Sequence, residues 1–166
     1  GGPDSQSMAT PTPAAEGLKN VGNVYFGKEK YAAASEQYTE AITLCPRWCI
    51  PYVNRALCQR KLGNWENVER DCMTALKLDH DNVKAQYMLG LCLLEKKNNV
   101  EATSWLTKSL ESARESGSGI QDEIWRALAR AKYEGWKGPA KKRKARMDSL
   151  QVLLRDLLRQ HHASKR

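Results

Sequence analysis

The chain has 166 residues, 41% hydrophobic and 28% charged, with a net charge of +8; that suits one soluble domain with a tail. No apolar run approaches the ~20 residues a membrane helix needs, and no basic stretch followed by an apolar core marks a secretory signal. Residues 1–136 hold 17 basic and 17 acidic residues and residues 137–166 hold 10 and 2, so the bulk of the chain is not a general polyanion binder, and a nucleic-acid role would rest on the tail.

The first fourteen residues are rich in Gly, Pro, Ser and Thr and are expected to be disordered. The stretch "LKNVGNVYF", residues 18–26, then reads as a helix. Leu18, Val21 and Tyr25 make one apolar stripe, with Gly22 alongside. Lys19, Asn23 and Phe26 share a second stripe at i, i+4, i+7 spacing. One cation, one amide and one aromatic on a common face is an unusual solvated surface.

The pattern recurs every thirty-four residues. With Gly22 set as position 8, Leu18 is position 4, Val21 is 7, Tyr25 is 11, Ala34 is 20, Tyr38 is 24, Ala41 is 27 and Pro46 is 32. One period on, Tyr52, Ala56, Cys72 and Ala75 occupy positions 4, 8, 24 and 27; two periods on, Leu89, Gly90, Leu93, Ala102 and Leu106 occupy 7, 8, 11, 20 and 24. Three departures stand out: Val68 at position 20, His80 at 32 and Ser109 at 27.

This period and these positions resemble the tetratricopeptide repeat. The resemblance implies an all-α chain with three tandem repeats over residues 15–48, 49–82 and 83–116, stacked in a right-handed solenoid. Each repeat is a pair of helices that meet at the small residue of position 8. Residues 119–136, with Ile120, Ile124, Leu128 and Ala131 at helical spacing, supply a capping seventh helix. Asp122 and Glu123 suit its first turn. Residues 137–146 read as a basic linker, because Gly138-Pro139 disfavours an unbroken helix. Residues 147–163 read as a separate amphipathic helix with Met147, Leu150, Leu154 and Leu157 on one stripe.

If the first helix of each repeat lines the inner face, positions near 2, 5, 6, 9 and 13 face a groove. They hold Lys19 and Asn23 in the first repeat, Ile50, Asn54 and Lys61 in the second, and Lys84, Tyr87 and Met88 in the third. These lysines and asparagines, with apolar residues between them, suit a peptide that ends in a free α-carboxylate beside an acidic side chain.

"LKNVGN", "NRALCQRKLG" and "VKAQYMLG" are similar to the carboxylate clamp of tetratricopeptide co-chaperones. That resemblance implies that Lys19, Asn23, Asn54 and Lys84 hold the terminal Asp of the Glu-Glu-Val-Asp ending of heat-shock protein 70 and 90 chaperones. It adds Lys61 as a further lysine and Phe26, Ile50, Tyr87 and Met88 as apolar contacts. Many such clamps carry an arginine where this chain has Met88. The helix "DEIWRALARAK" resembles the seventh helix of CHIP-like co-chaperone ubiquitin ligases, and implies peptide contacts from Ile120, Glu123 and Ile124. In that family a dimerising helical hairpin and a U-box follow, and the U-box would engage a ubiquitin-conjugating enzyme. The expectation is a chaperone adaptor whose catalytic module lies beyond these residues, in a longer protein that forms a homodimer. The alternative is a clamp co-chaperone linked to a prolyl isomerase or a phosphatase, or, less favoured, a nucleic-acid-binding solenoid using the tail.

The remaining candidates are weaker. Cys45, Cys49, Cys58, Cys72 and Cys92 read as small packing residues in a reducing compartment, since CxxxC without a second pair does not make a zinc site. His80, His161 and His162 join no Ser/His/Asp set, phosphate loop or metal cluster, so no catalytic site, cofactor or metal is expected, nor a membrane partner. "KKRKAR" at residues 141–146 is a solvated basic stretch or a nuclear-localisation signal, so a cytoplasmic and nuclear location is expected.

Overall fold

The computed structural model describes residues 10–164, and the disorder expected of residues 1–9 lies outside them. Seven helices follow in order: α1 (Pro13–Gly27), α2 (Tyr31–Leu44), α3 (Cys49–Lys61), α4 (Trp65–Leu78), α5 (Val83–Glu95), α6 (Asn99–Ser116) and α7 (Gln121–Ser164). No strand occurs among the described residues. Each helix packs mainly on its neighbours in sequence, and α3 also approaches α5 and α5 approaches α7, whereas no two even-numbered helices pack as closely. That asymmetry puts the odd-numbered helices on the inner side of a curved stack.

Local chemistry sets the helix ends. Contrary to the expectation of disorder up to residue 14, α1 begins at Pro13, where a proline costs nothing because that N–H has no partner in any helix. Thr12 caps it, its Oγ1 accepting from the Ala15 amide at 3.2 Å. Asn82 and Asn98 cap α5 and α6 in the same way, accepting from Ala85 and Glu101 at 3.0 and 3.3 Å. Gly117, at φ 66°, ends α6, and the Ser118 amide donates back to Ala113 at 2.9 Å.

The small residues at position 8 are explained by what lies against them. A Cβ on Gly22 would fall 2.6 Å from the Tyr38 ring, and one on Gly90 2.6 Å from the Leu106 side chain. Each is the close approach of the two helices of a repeat. The core runs from Val53 to Ala131 through α3–α7, and a second cluster of Ala34, Tyr38 and Cys58 joins α2 to α3. Ser109, the departure at position 27, is fully buried but donates to the Val83 carbonyl at 3.0 Å. Val68 is fully buried without distortion of the pattern. Val21, by contrast, is 45% exposed.

Within the second repeat a polar clasp ties α3 to α4 and reaches back to α2 of the first. Arg55 donates to both carboxylate oxygens of Asp71, at 2.8 and 2.6 Å, and to Thr39 Oγ1 at 3.0 Å. Asp71 is only 4% exposed, so the fork of the guanidinium compensates a carboxylate withdrawn from water.

The expected linker at 137–146 is a correction. α7 is one helix of 44 residues that passes through Pro139. Its first part runs antiparallel to α6, with Ile124, Ala127, Leu128 and Ala131 buried against the core and Gly135 passing Asn99. Beyond that it leaves the solenoid, and nearly every residue from 132 onward is exposed. Pro139 removes one hydrogen bond, but the carbonyl left over is Gly135's, on a solvated helix where water can satisfy it. The good helix formers Ala140–Arg146 then restart the ladder. The 147–163 stripe is therefore the far end of α7, with its leucines 51–59% exposed.

Candidate functional site

Three odd-numbered helices bring the polar groove residues together. On α1, Lys19 and Asn23 are one turn apart. Asn23 Oδ1 accepts from the Tyr38 hydroxyl at 2.7 Å and from Asn54 Nδ2, on α3, at 3.4 Å. Asn54 in turn lines a pocket of about 220 Å³ with Val53, Leu57, Arg60, Lys84, Tyr87, Met88 and Ile120. The amides of two repeats thus touch directly, and the lysine of the third lies across one pocket from them. Two cations and no carboxylate line that pocket; its walls are apolar. Such a site attracts an anionic group attached to an apolar side chain.

Lys19, Ile50, Lys61 and Phe26 do not line that pocket. Lys19 holds its Nζ 5.8 Å from the Trp48 ring centroid, a cation–π contact that steadies a flexible side chain. Ile50, 42% exposed, lines a separate pocket of about 320 Å³ with Thr10, Pro11, Arg47, Trp48, Cys49, Leu78 and Asp79. Lys61 is exposed at the last residue of α3 and lines neither pocket. Phe26 makes an edge-to-face contact with Tyr31, 5.2 Å between centroids, and packs on the Tyr38 cluster, so only part of its ring faces out.

Tyr87 is half-buried; burial raises its phenol pKa, Arg60 lowers it and Glu123 raises it. Glu123 is exposed on the first turn of α7. One expected contact needs correction. Ile124 is fully buried in the core, on the face of α7 turned to the solenoid, and offers no surface to a peptide. Met88 is 2% exposed and lines the pocket.

Arg60, Leu57 and Tyr38 were missed by sequence reasoning. Leu57 stands at position 9, one of the groove positions, and was legible. Arg60 stands at position 12, off that set; it reaches the pocket because it lies near the end of α3, where the side chain can lean over Tyr87. It supplies a second cation to the pocket that Lys84 lines.

Among the described residues no group of His, Cys, Asp and Glu could hold a metal, and all five cysteines are free. Burial pushes the Cys58 and Cys49 thiols up to about 11, so they are packing groups rather than nucleophiles.

A thirty-four-residue repeat of paired helices, stacked around a cationic groove, defines the chain as a tetratricopeptide-repeat domain, and the tetratricopeptide-repeat family model matches residues 16–47. The chain is similar to the E3 ubiquitin-protein ligase CHIP of Arabidopsis thaliana, with 41% identity over 151 residues, 90% of this chain and 54% of that protein. It spans about half the length of that relative. The TPR2B domain of yeast Sti1, solved in its Hsp70 complex, is similar over 74% of this chain and 99% of its own, at 25% identity and a TM-score of 0.70. The first TPR of Spaghetti (RPAP3), bound to the HSP90 peptide SRMEEVD, is similar over 74% of this chain and 99% of its own, at 26% identity and a TM-score of 0.61.

Proposed function

We propose that this chain is the chaperone-binding domain of a CHIP-like co-chaperone. It captures the C-terminal carboxylates of Hsp70 and Hsp90 chaperones in the groove of α1, α3 and α5. The observation that carries the reading is the contact of Asn23 with Asn54 next to the pocket of Lys84 and Arg60. Donors of the second and third repeats thereby share one pocket that no acidic side chain lines, and Asn23 of the first repeat adjoins it through Asn54. Lys19, Asn23, Asn54 and Lys84 would hold the terminal carboxylates, and Leu57, Tyr87 and Ile120 the apolar side chain upstream.

The likeness to CHIP supports a further role in the longer protein, the direction of chaperone-bound clients to ubiquitination by a U-box. The exposed run Lys141–Arg146 suits a nuclear import signal, which extends the proposed location from the cytoplasm to the nucleus.

Calorimetry with the heptapeptide SRMEEVD, as free acid and as C-terminal amide, tests the central claim. Binding of the acid and loss of at least tenfold on amidation is expected, since charged hydrogen bonds contribute roughly 1.5–3 kcal/mol each. Equal affinities would refute the clamp.

A further inference from the structure

Asn23 is exposed, yet its carbonyl oxygen is fully engaged. Tyr38 donates to it at 2.7 Å from the core side, and Asn54 donates from the neighbouring helix at 3.4 Å. An amide oxygen has two lone pairs, and both are taken. What remains for the groove is the Nδ2 group with its two N–H donors.

We propose that Tyr38 is a positioning residue of the anion site, holding the Asn23 amide so that it presents donors, and never its oxygen, to a bound carboxylate. The inference rests on the carboxylate reading above. An unpinned amide could turn its oxygen to the ligand and repel it. Pinning removes that state and the entropy of choosing between the two.

The sequence around this pair is built for the contact. Gly22, next to Asn23, has no Cβ, and one there would fall 2.6 Å from the Tyr38 ring. The missing side chain lets the ring approach α1 closely, and its hydroxyl reaches the following residue. The other two repeats have no such pair: position 24 is Cys72 and Leu106, and position 9 is Leu57 and Leu91. The tyrosine therefore accompanies the asparagine and is not a general requirement of the packing site. Burial, and to a lesser extent Cys58, raises the Tyr38 phenol to about 12, so it stays a donor at neutral pH.

A purely structural role would have Asn23 serve Tyr38 by satisfying a buried hydroxyl. The two directions are separated by a double-mutant cycle read on ligand affinity. The chain, Tyr38→Phe, Asn23→Ala and the double variant are titrated with SRMEEVD free acid and its amide, and melted without peptide. Tyr38→Phe is expected to weaken the acid about five- to tenfold, the worth of one hydrogen bond, and to leave the amide unchanged. In the Asn23→Ala background it should have no further effect. The Asn23 side-chain amide protons of the wild-type chain should shift in NMR spectra with the acid and not with the amide.

A Tyr38→Phe variant that binds like wild type while Asn23→Ala is impaired would overturn the proposal and leave the clamp standing. So would an equal loss in both backgrounds, or Asn23 amide protons unmoved by the acid. Insensitivity to both Asn23→Ala and amidation would overturn the clamp and this inference together.

Discussion

Position 15 of each repeat must take a left-handed backbone to turn between paired helices. Gly63 does so at φ 76° without strain, whereas Glu29 and Lys97 do so at 59° and 62°. A side chain there costs on the order of 1 kcal/mol. Lys97→Gly is therefore expected to stabilise the fold by about 0.5–1 kcal/mol, read as a raised urea midpoint with unchanged slope; a lower midpoint would contradict the turn assignment. The cations differ as sharply. Lys84 lines the pocket beside Asn54, while Lys142 is on the exposed part of α7. Lys84→Ala should weaken SRMEEVD binding at least tenfold, as loss of one partner of a desolvated pair does. Lys142→Ala should change it less than twofold, since exposed charges are screened. If Lys142→Ala is the damaging variant, the groove assignment fails.

At the scale of the element, α7 joins two physical regimes in one helix. Residues up to Ala131 bury Ile124, Ala127 and Leu128 against the solenoid, and tertiary packing holds their backbone. The remaining ~30 residues rise about 1.5 Å each into solvent, where helicity depends on propensity alone and Pro139 interrupts it. Amide exchange should show this as a step: strong protection for residues 124–131 and little from residue 137 onward in the isolated chain. Uniform protection to residue 160 would mean that something covers the leucine stripe. Pro139→Ala should raise the far-ultraviolet helical signal without moving the melting temperature, because no tertiary contact depends on that turn.

The whole molecule has a pH signature set by buried thiols and phenols. Cys49 and Cys58 are raised by burial from 9.0 to about 11, and Tyr38 from 10.0 to about 12. Each group is neutral when protonated and is buried in that form. A folded pKa above the unfolded one gives stability that is complete below the unfolded value and lost as pH rises through the folded one. The urea midpoint should thus hold level from pH 7 to about 8.5 and fall between about 9 and 12. A fall that begins below pH 8 would point to other groups. Peptide binding should raise the melting temperature by mass action with no such alkaline dependence below pH 9, because its proposed donors are lysine ammonium, guanidinium and amide groups.

The repeat, its six paired helices and the neighbourhood of Asn23, Asn54 and Lys84 were legible in the sequence because each is periodic. A thirty-four-residue period leaves Gly22, Ala56 and Gly90 at equivalent points, and packing two helices at one distance demands a small residue at each. Groove positions follow from the same period, so Asn54, Lys84 and Tyr87 could be placed together before any coordinates. What only the tertiary structure decided breaks the period. Arg60 and Tyr38 act through where neighbouring helices happen to bring their ends. Ile124 shares its stripe with residues that pack, so its burial depends on the rotation of α7 against α6. The continuity of α7 through Pro139 is likewise not periodic: it turns on whether the freed Gly135 carbonyl meets water or a packed wall, and that is set by where the solenoid stops.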